Sequence, residues 1–316
     1  RNVYLKKILE WNNKLDLSLE FIFATDKETI KSIDMENFKN IKIIETKDYE
    51  NKGSKLLTEN YLHLSSNNYL YELYCLRRYF YALDYCNKNQ LKRILLSDSD
   101  NIFLPEIKNL LYDNKLLIPF LKCPKKDNIF DNKYRASGGL SIWNKKDLES
   151  YCSYLLNSYT KEYERKKLIK YYKNFKFLNI KGGISDMYHL SKWLSINEPY
   201  NLINLRNAAK IYKYEFDPSI EENNNSYKTI TYFSFNKMGT KTIKKIFIYQ
   251  TINNSYKYSY SNLLPLTQIQ LQGDNKGIIW LISNFNKYKK ITKLIIKNNF
   301  LYSTMLTISS FRYLLY

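Results

Sequence analysis

Two aspartates stand two residues apart just after an apolar run, Ile94 to Leu96, from which Ser97 separates them. In an extended backbone, residues i and i+2 project from the same face, so Asp98 and Asp100 can approach one hard cation together. The apolar run predicts a buried strand, and the ligands of open α/β sheets bind at the carboxyl ends of strands. A turn cap is the alternative, because Asp and Ser are ordinary turn residues. The position after a buried strand favours a metal site.

Glycine is scarce, since the chain has only 8 glycines and half of them stand in two pairs, Gly138-Gly139 and Gly182-Gly183. Glycine lets a backbone approach a ligand closely or adopt a positive φ. Tight turns would also account for either pair taken singly. We favour a ligand site for Gly138-Gly139, whereas both interpretations stay open for Gly182-Gly183.

The sequence around these residues predicts alternating helices and strands that would position them. Some segments have apolar side chains at helical spacing, and others are short apolar runs closed by turn residues. We expect helices at 4–15, 27–33 and 69–85, and strands at 17–24, 41–44, 93–96, 141–143, 230–233 and 246–249. This β-α-β alternation predicts an α/β fold with a mostly parallel central sheet flanked by helices. Asp98 and Asp100 would lie at one edge of that sheet.

The bulk composition is that of a globular protein with an excess of basic residues. The chain has 316 residues, 44% of them hydrophobic, which is enough to fill a sizeable core. Lys and Arg number 50 against 30 Asp and Glu, for a formal net charge of +20, and such an excess suits a polyanionic partner. The lysines are scattered, however, and Asn, Ile and Tyr are also abundant. We therefore favour the compositional bias of an AT-rich coding sequence as the explanation.

Cysteine usage and hydropathy bear on the compartment. The 4 cysteines show no C-x-x-C spacing, which fits a reducing compartment. No apolar run approaches the ~18 residues of a membrane span, and the opening residues do not resemble a signal peptide. We expect a cytoplasmic protein, with peripheral membrane contact through the lysine- and tyrosine-rich stretch from Asn286 to Tyr316 as a further hypothesis.

A longer pattern surrounds the two aspartates. Arg78-Tyr79-Phe80 with Leu83, followed by the segment from Arg93 to Ile102, resembles the GT-A glycosyltransferase pattern of an Arg-led helix, a strand and a D-x-D motif. The similarity is to bacterial and glycogenin-like sugar transferases. It implies a Rossmann-like GT-A fold and a hexosyltransferase that uses a nucleotide-sugar donor, a UDP-sugar above all, with Mn²⁺ or Mg²⁺ as cofactor. Arg78 would contact a donor phosphate or orient Asp98, with a surface salt bridge as the alternative.

The resemblance also implies roles for individual residues. Asp98 and Asp100 would hold the metal, and the segment from Ser137 to Trp143 resembles the strand beside the donor sugar. Asp186, in a segment that also resembles bacterial members, would accept a hydrogen bond from a sugar hydroxyl or act as a base toward the acceptor. Capping of a helix by Ser185 or Asp186 is the alternative. The implied donor-binding residues are Arg78, Asp98, Ser99, Asp100, Gly138, Gly139, Gly273 and Lys276.

The resemblance is incomplete near the carboxyl end. Retaining members carry His-x-x-Gly-x-x-Lys, whereas this sequence places Gln270 at the metal-binding His, followed by Gly273 and Lys276. Gly273 would allow close approach to the diphosphate, and Lys276 would act in catalysis by neutralising the departing nucleotide. A Gln oxygen can still ligate a hard cation, so the implied metal ligands are Asp98, Asp100 and Gln270. The partial motif leans toward retention of anomeric configuration.

The resemblance divides the chain at about residue 280. It implies a GT-A domain over 1–280 whose first strand is absent, because the sequence begins inside the first helix, and a basic helical tail over 281–316. The two histidines, His63 and His189, fall outside the tail motif. We expect them to be structural or surface residues.

The expected function is metal-assisted transfer of a sugar to a glycan, lipid-linked or protein acceptor. Two alternatives stay open. A non-catalytic basic protein would bind nucleic acid or an anionic surface through Lys and Tyr, although the sequence shows no recognised nucleic-acid motif. A degenerate transferase would bind its donor without turnover, which the change to Gln270 would allow. The sugar, the base and the acceptor depend on pocket shape, which fold analogy does not supply.

Overall fold

The computed structural model describes residues 2–15, 20–32, 38–111, 114–122, 133–178 and 182–205, together with the backbone of five strands within 229–270. Seven α-helices lie in these described residues: α1 (Asn2–Asn13), α2 (Lys27–Ser32), α3 (Lys52–Asn60), α4 (Tyr69–Lys88), α5 (Lys145–Thr160), α6 (Glu162–Phe177) and α7 (Asp186–Asn197). Two short 3-10 helices are at Thr46–Tyr49 and Pro105–Leu110. The longest of these helices is α4, which carries Arg78.

The described strands are short and are spread along the whole of this region. The strands before α5 are β1 (Phe21–Thr25), β2 (Ile41–Glu45), β3 (Arg93–Ser97), β4 (Asn101–Phe103), β5 (Leu116–Ile118), β6 (Phe120–Lys122), β7 (Tyr134–Ala136) and β8 (Leu140–Asn144). Those after α7 are β9 (Leu202–Asn204), β10 (Thr229–Ser234), β11 (Gly239–Lys244), β12 (Phe247–Gln250), β13 (Tyr256–Ser259) and β14 (Gln268–Gln270).

The central sheet is mixed, and this corrects the prediction of a mostly parallel one. Its four strands run in the order β3-β8-β5-β9. β8 is antiparallel to both β3 and β5, whereas β5 is parallel to β9 and, in a separate pair, β1 is parallel to β2. Parallel neighbours need a crossover connection, usually a helix. Helix α2 joins β1 to β2 and helices lie between β5 and β9, but the described chain between β3 and β8 holds only a 3-10 helix and short strands.

Strands β3, β5 and β8 are covered on both faces, because successive side chains of a strand point to opposite sides. In β8, Trp143 packs into a large core with helices α4, α5 and α7, while Leu140 and Ile142 enter a second core with Phe103 and Leu205. A strand that is buried on both faces has a continuous run of apolar residues in its sequence. The end of β3, where the apolar run gives way to Asp98, is therefore held between two packed layers.

Helix α4 shows how the sequence sets an element that carries a site residue. Asn68 caps its start, since the Asn68 side chain accepts hydrogen bonds from the backbone N–H groups of Leu70 and Tyr71. Leu76 and Phe80 are buried against the sheet and the neighbouring helices. Their spacing by four residues is that of one helix face.

The α/β class and the helices and strands predicted up to residue 249 are confirmed, with ends that differ by a few residues at most. The division at residue 280 and the helical tail over 281–316 remain predictions, because residues 271–316 lie outside the described part of the chain. Within the described ranges, no helix is both long enough and apolar enough to cross a lipid bilayer.

Candidate functional site

Three charged side chains from distant parts of the chain meet beside the end of β3. Arg78 lies on α4, Asp98 directly follows β3, and Asp186 is the first residue of α7. One guanidinium nitrogen of Arg78 donates a hydrogen bond to Oδ1 of Asp98 at 2.6 Å, and the other donates to Oδ2 of Asp186 at 2.9 Å. We call these three residues the arginine–aspartate cluster. The fold thus joins three of the residues that the sequence singled out. Arg78 is ion-paired with both aspartates, and its contact with a donor phosphate stays a prediction.

Gly138 is in direct contact with this cluster. A β-carbon at Gly138 would lie 2.2 Å from the hydroxyl oxygen of Tyr79 and 2.4 Å from Nη2 of Arg78. Real β-carbons essentially never approach other atoms so closely, so the guanidinium needs a residue without a side chain at this position. Arg78 also donates to the Tyr79 hydroxyl at 3.2 Å, which holds the same nitrogen in place. This contact explains why the position holds a glycine, and the ligand site at Gly138-Gly139 stays a prediction.

The backbone of the D-x-D segment is tied to the start of β8. The N–H of Asp98 donates to the carbonyl of Gly139 at 2.8 Å. The side-chain amide of Asn101 donates to the carbonyls of Asp98 and Gly139 at 3.3 and 3.1 Å. Asn101 is only 2% exposed, and sequence reasoning did not single it out. Its position directly after the D-x-D was the available signal.

Asp186 carries the most informative pKa shift of the cluster. Burial raises its pKa, Arg78 opposes that rise, and Glu72 and Asp98 add to it, with a resulting value of about 6. Burial likewise opposes the charge on Arg78, but Tyr79, Asp98 and Asp186 outweigh it and raise the pKa of Arg78 above its usual value. At neutral pH Asp186 is therefore mostly ionised beside the positive charge of Arg78.

The capping alternative for this segment is resolved in favour of Ser185. The Ser185 hydroxyl oxygen accepts a hydrogen bond from the N–H of Tyr188 at the N-cap of α7. Oδ1 of Asp186 accepts from the N–H of Met187, while Oδ2 faces Arg78. A carboxylate in the first turn is also favoured by the helix dipole. Asp186 is therefore oriented by the helix end and paired outside it.

Gly182 and Gly183 belong to a tight backbone contact. Gly183 has a φ of 130°, and a β-carbon there would lie 2.3 Å from the carbonyl oxygen of Leu64. The N–H of Ile184 donates to that same carbonyl, and the N–H of Ser66 donates to the carbonyl of Gly182, both at 2.8 Å. The turn interpretation thus accounts for this pair, whose contact sets the entry into α7.

Glu72 is a buried carboxylate that sequence reasoning missed. It is 1% exposed, and its Oε1 accepts hydrogen bonds from the hydroxyl of Ser65 at 3.2 Å and the amide of Asn67 at 2.5 Å. Glu72 on α4 thereby holds the segment that pairs with Gly183. The available signal was a carboxylate at a position whose helical spacing from Leu76 predicts burial.

Gln270, the first residue of the tail motif, lies on a strand that pairs with the strand following the D-x-D segment. Strand β14 pairs antiparallel with β4, and Gln270 lies opposite Asn101, one residue after the D-x-D. Gly273 and Lys276 lie outside the described residues. In the part of the chain whose side chains are described, no group of three or more His, Cys, Asp or Glu forms a metal cluster. The metal set of Asp98, Asp100 and Gln270 therefore stays a prediction.

The two histidines lie within aromatic surroundings rather than in the cluster. The ring of His189 is fully buried and hydrogen-bonds the Tyr159 hydroxyl at 2.9 Å. Burial lowers the pKa of His189 to about 3, so the ring is neutral. His63 contacts the hydroxyl of Tyr61 at 3.1 Å. Both placements agree with the expected structural role.

Comparison with known proteins adds little. No family model matches the chain, and no curated protein resembles its sequence closely enough to count as a relative. Among solved structures, the apo form of mouse xyloside xylosyltransferase 1 matches with a TM-score of 0.33 and 11% identity, over 65% of this chain and 80% of that one. A likeness this weak carries no functional argument.

Proposed function

We propose that this chain is a glycosyltransferase that transfers a sugar from a nucleotide-sugar donor, in the first instance a UDP-hexose, to an acceptor hydroxyl. The observation that carries the proposal is the arginine–aspartate cluster at the carboxyl end of β3, joined by Arg78 over 2.6 and 2.9 Å and bordered by Gly138. Ligands of open α/β sheets bind at such strand ends. The sequence resemblance to GT-A transferases supports the same assignment for the same residues.

The chemistry of the cluster suits a sugar. Carboxylate oxygens accept hydrogen bonds from hydroxyl groups, and Asp98 and Asp186 offer two such acceptors on either side of one guanidinium. Arg78 holds both carboxylates in fixed orientations, and such preorganisation is what positions a reacting group. The absence of a side chain at Gly138 leaves the backbone close to the cluster. We assign donor-sugar binding to these residues, together with Ser99 and Gly139 beside them.

In the proposed transfer, the acceptor oxygen forms a bond to the anomeric carbon and the bond from that carbon to the diphosphate oxygen breaks. The acceptor proton passes to the carboxylate of Asp186. A pKa of about 6 keeps Asp186 ionised at neutral pH, yet basic enough to take a proton. The partial tail motif favours retention of configuration, which in this single step requires the acceptor to attack the anomeric carbon from the face on which the diphosphate departs.

The residues near the D-x-D fit a hard divalent cation, Mn²⁺ or Mg²⁺. Carboxylate and amide oxygens are ligands that such cations accept, and the backbone pairing of Gln270 with Asn101 supports a set of Asp98, Asp100 and Gln270. When bound, the cation would supply Lewis-acid stabilisation of the departing diphosphate. Gly273 and Lys276 would contact the same diphosphate.

The test is a panel of nucleotide sugars assayed for binding and hydrolysis with Mn²⁺ or Mg²⁺. The double variant Asp98→Asn, Asp100→Asn is expected to lose metal-dependent turnover by about 10²-fold or more. A matched control is Asp48→Asn, Asp84→Asn, which changes two aspartates near Lys88 at the far end of α4. The control is expected to behave as the wild type, and circular dichroism would confirm that both variants fold.

The possible outcomes separate the candidate functions. Metal-dependent hydrolysis that the site variant loses and the control keeps would support the transferase and identify the donor. Binding without turnover would indicate a degenerate transferase. If no nucleotide sugar binds the wild-type chain, the proposal is wrong and a non-catalytic basic protein becomes the better explanation.

A further inference from the structure

The first turns of α4 present large side chains to solvent. Tyr69, Leu70, Tyr71 and Tyr74 are 43, 57, 61 and 53% exposed. We call these four residues the aromatic platform. Exposed apolar side chains scattered singly are ordinary, whereas a contiguous group marks a binding surface. Other residues of α4 form its buried face. Within the platform, the ring of Tyr69 also packs against those of Tyr61 and His63.

The platform is continuous with the arginine–aspartate cluster. Tyr71, Tyr74 and Arg78 are spaced i, i+3 and i+7, so they lie along one face of α4. The seven residues from Tyr71 to Arg78 span about 10 Å of helix axis. The pKa of Tyr71 is raised by Cys75, which it also hydrogen-bonds, by partial burial and by Asp98 and Asp186. The Tyr71 hydroxyl is thus within the electrostatic field of the cluster.

The platform is aromatic but has no charged member. The nearest guanidinium, that of Arg77, lies 5.6 Å from the Tyr74 ring centre and is already paired with Glu50. Glu72, which interrupts the run, is buried. Nucleic-acid bases also stack on aromatic rings, but their binding sites add a cationic groove for the backbone. A neutral ligand with apolar faces and hydroxyl groups fits this surface better than a polyanion does.

Sugar rings have this combination of properties. One face of a pyranose presents C–H groups that pack against an aromatic ring, while its hydroxyls bond to water or to polar tips such as the tyrosine hydroxyl. Tyrosine supplies both an apolar face and a polar tip with few rotatable bonds. A span of about 10 Å along the helix accommodates more than one ring between the platform and the cluster.

We propose that the aromatic platform is an acceptor subsite and that the acceptor is a neutral oligosaccharide rather than a protein or a lipid headgroup. Its terminal ring would present a hydroxyl at the arginine–aspartate cluster, and its next rings would stack on Tyr71 and Tyr74. This inference rests on the proposed function, which it deepens by naming the class of acceptor.

The experiment measures oligosaccharide binding rather than transfer. Maltotriose, cellotriose, xylotriose and chitotriose are titrated against the wild-type chain by saturation-transfer NMR and calorimetry. For any trisaccharide that binds, Tyr71→Ala, Tyr74→Ala is expected to weaken binding by roughly tenfold or more, and Tyr71→Phe, Tyr74→Phe by much less because the rings remain. The matched control is Tyr163→Ala, Tyr200→Ala, since these tyrosines are 69 and 100% exposed elsewhere on the surface.

A second measurement avoids substitutions, in case the double alanine variant does not fold. Hydroxyl-radical footprinting of the wild-type chain should show protection of Tyr71 and Tyr74 by the bound trisaccharide and none of Tyr163 or Tyr200. The proposal is overturned if none of the four trisaccharides binds, or if binding protects neither platform tyrosine. Equal binding by the folded alanine variant and the wild type would overturn it as well.

Failure here is distinct from failure of the proposed function. Nucleotide-sugar hydrolysis by the wild type, without trisaccharide binding at the platform, would leave the transferase in place and remove the oligosaccharide acceptor. Trisaccharide binding at the platform without any nucleotide-sugar binding would leave a carbohydrate-binding surface and remove the transferase.

Discussion

Asp186 and His189 lie less than one turn apart on α7 and are both buried. Asp186 is ionised at neutral pH, whereas the ring of His189 is neutral. Asp186 faces Arg78 and keeps a pKa of about 6, whereas His189 faces the Tyr159 hydroxyl and has a pKa of about 3. Burial disfavours the charged form of either group. Only Asp186 has a counter-charge, so one helix separates a charged site from a neutral core.

The aromatic core beside His189 holds α7, and with it Asp186, in place. Trp143, Tyr151 and Trp193 are fully buried and pack ring against ring between β8, α5 and α7. The Tyr151 hydroxyl also donates to the backbone carbonyl of Asp186 at 3.4 Å. Aromatic packing of this kind fixes the position of α7. The pairing of Asp186 with Arg78 therefore keeps the site charged, and the aromatic core holds the site residues of α7 in position.

The largest expected effect comes from removing the counter-charge. Arg78→Ala removes the guanidinium that pairs with the buried carboxylate of Asp186, and loss of one partner from a buried pair costs about 3 kcal/mol. The free energy of unfolding, measured with urea at pH 7, should fall by about that amount. The loss should be smaller at pH 5, where Asp186, with its pKa of about 6, is protonated.

A matched exposed pair serves as the control for this prediction. Lys133 and Glu198 are 52 and 53% exposed in their side chains, and ion pairs of this kind contribute little. Lys133→Ala should therefore leave the unfolding free energy close to that of the wild type at both pH values. An equal loss in the two variants would show that pairing does not set the charge of the site.

A smaller effect is expected when the space beside the cluster is filled. Gly138→Ala would place a methyl group against Tyr79 and Arg78, and overpacking of this kind costs about 1–3 kcal/mol. It should also weaken nucleotide-sugar binding, because the guanidinium has to move. Gly182→Ala meets open space and costs only the strain of its positive φ, so nucleotide-sugar binding should survive. Calorimetric titration of both variants would decide between these outcomes.

In the wild type the smallest net effect is on the pH dependence of stability, because the two residues of α7 act against each other. Between about pH 4 and 6, Asp186 binds more protons folded than unfolded, so its contribution to stability falls as pH rises. His189 binds more protons unfolded than folded from about pH 3 to 6.5, so its contribution rises with pH. Each slope reaches about 1.4 kcal/mol per pH unit, and in the wild type they largely cancel.

Single substitutions should uncover each slope. Relative to the wild type, Asp186→Asn is expected to make stability increase more steeply with pH between 4 and 6. His189→Gln, which keeps a partner for the Tyr159 hydroxyl, should make it decrease over the same window. Urea unfolding at several pH values measures both, and parallel curves for the three proteins would contradict the assigned environments.

Much of the local structure could be predicted from the sequence, and parts of the site could be predicted with it. The apolar run before Asp98 and the helical spacing in α4 are short-range patterns, and both elements form where those patterns are. The alternative roles for Arg78 and Gly182-Gly183 stayed open because each was compatible with its neighbours in sequence. The contact with Leu64 explains the turn at Gly182-Gly183, and the contacts of Arg78 with Asp98 and Asp186 show which residues it orients.

Strand direction and burial lay beyond the sequence patterns for a physical reason. Periodicity predicts that a strand exists but not which neighbour it pairs with, and the antiparallel β3–β8 pair joins segments with no described α-helix between them. Glu72 and Asn101 looked like ordinary polar residues, yet both are buried and hydrogen-bonded. A residue's spacing thus predicts its element, whereas its charge state and its partners follow from packing between elements distant in sequence.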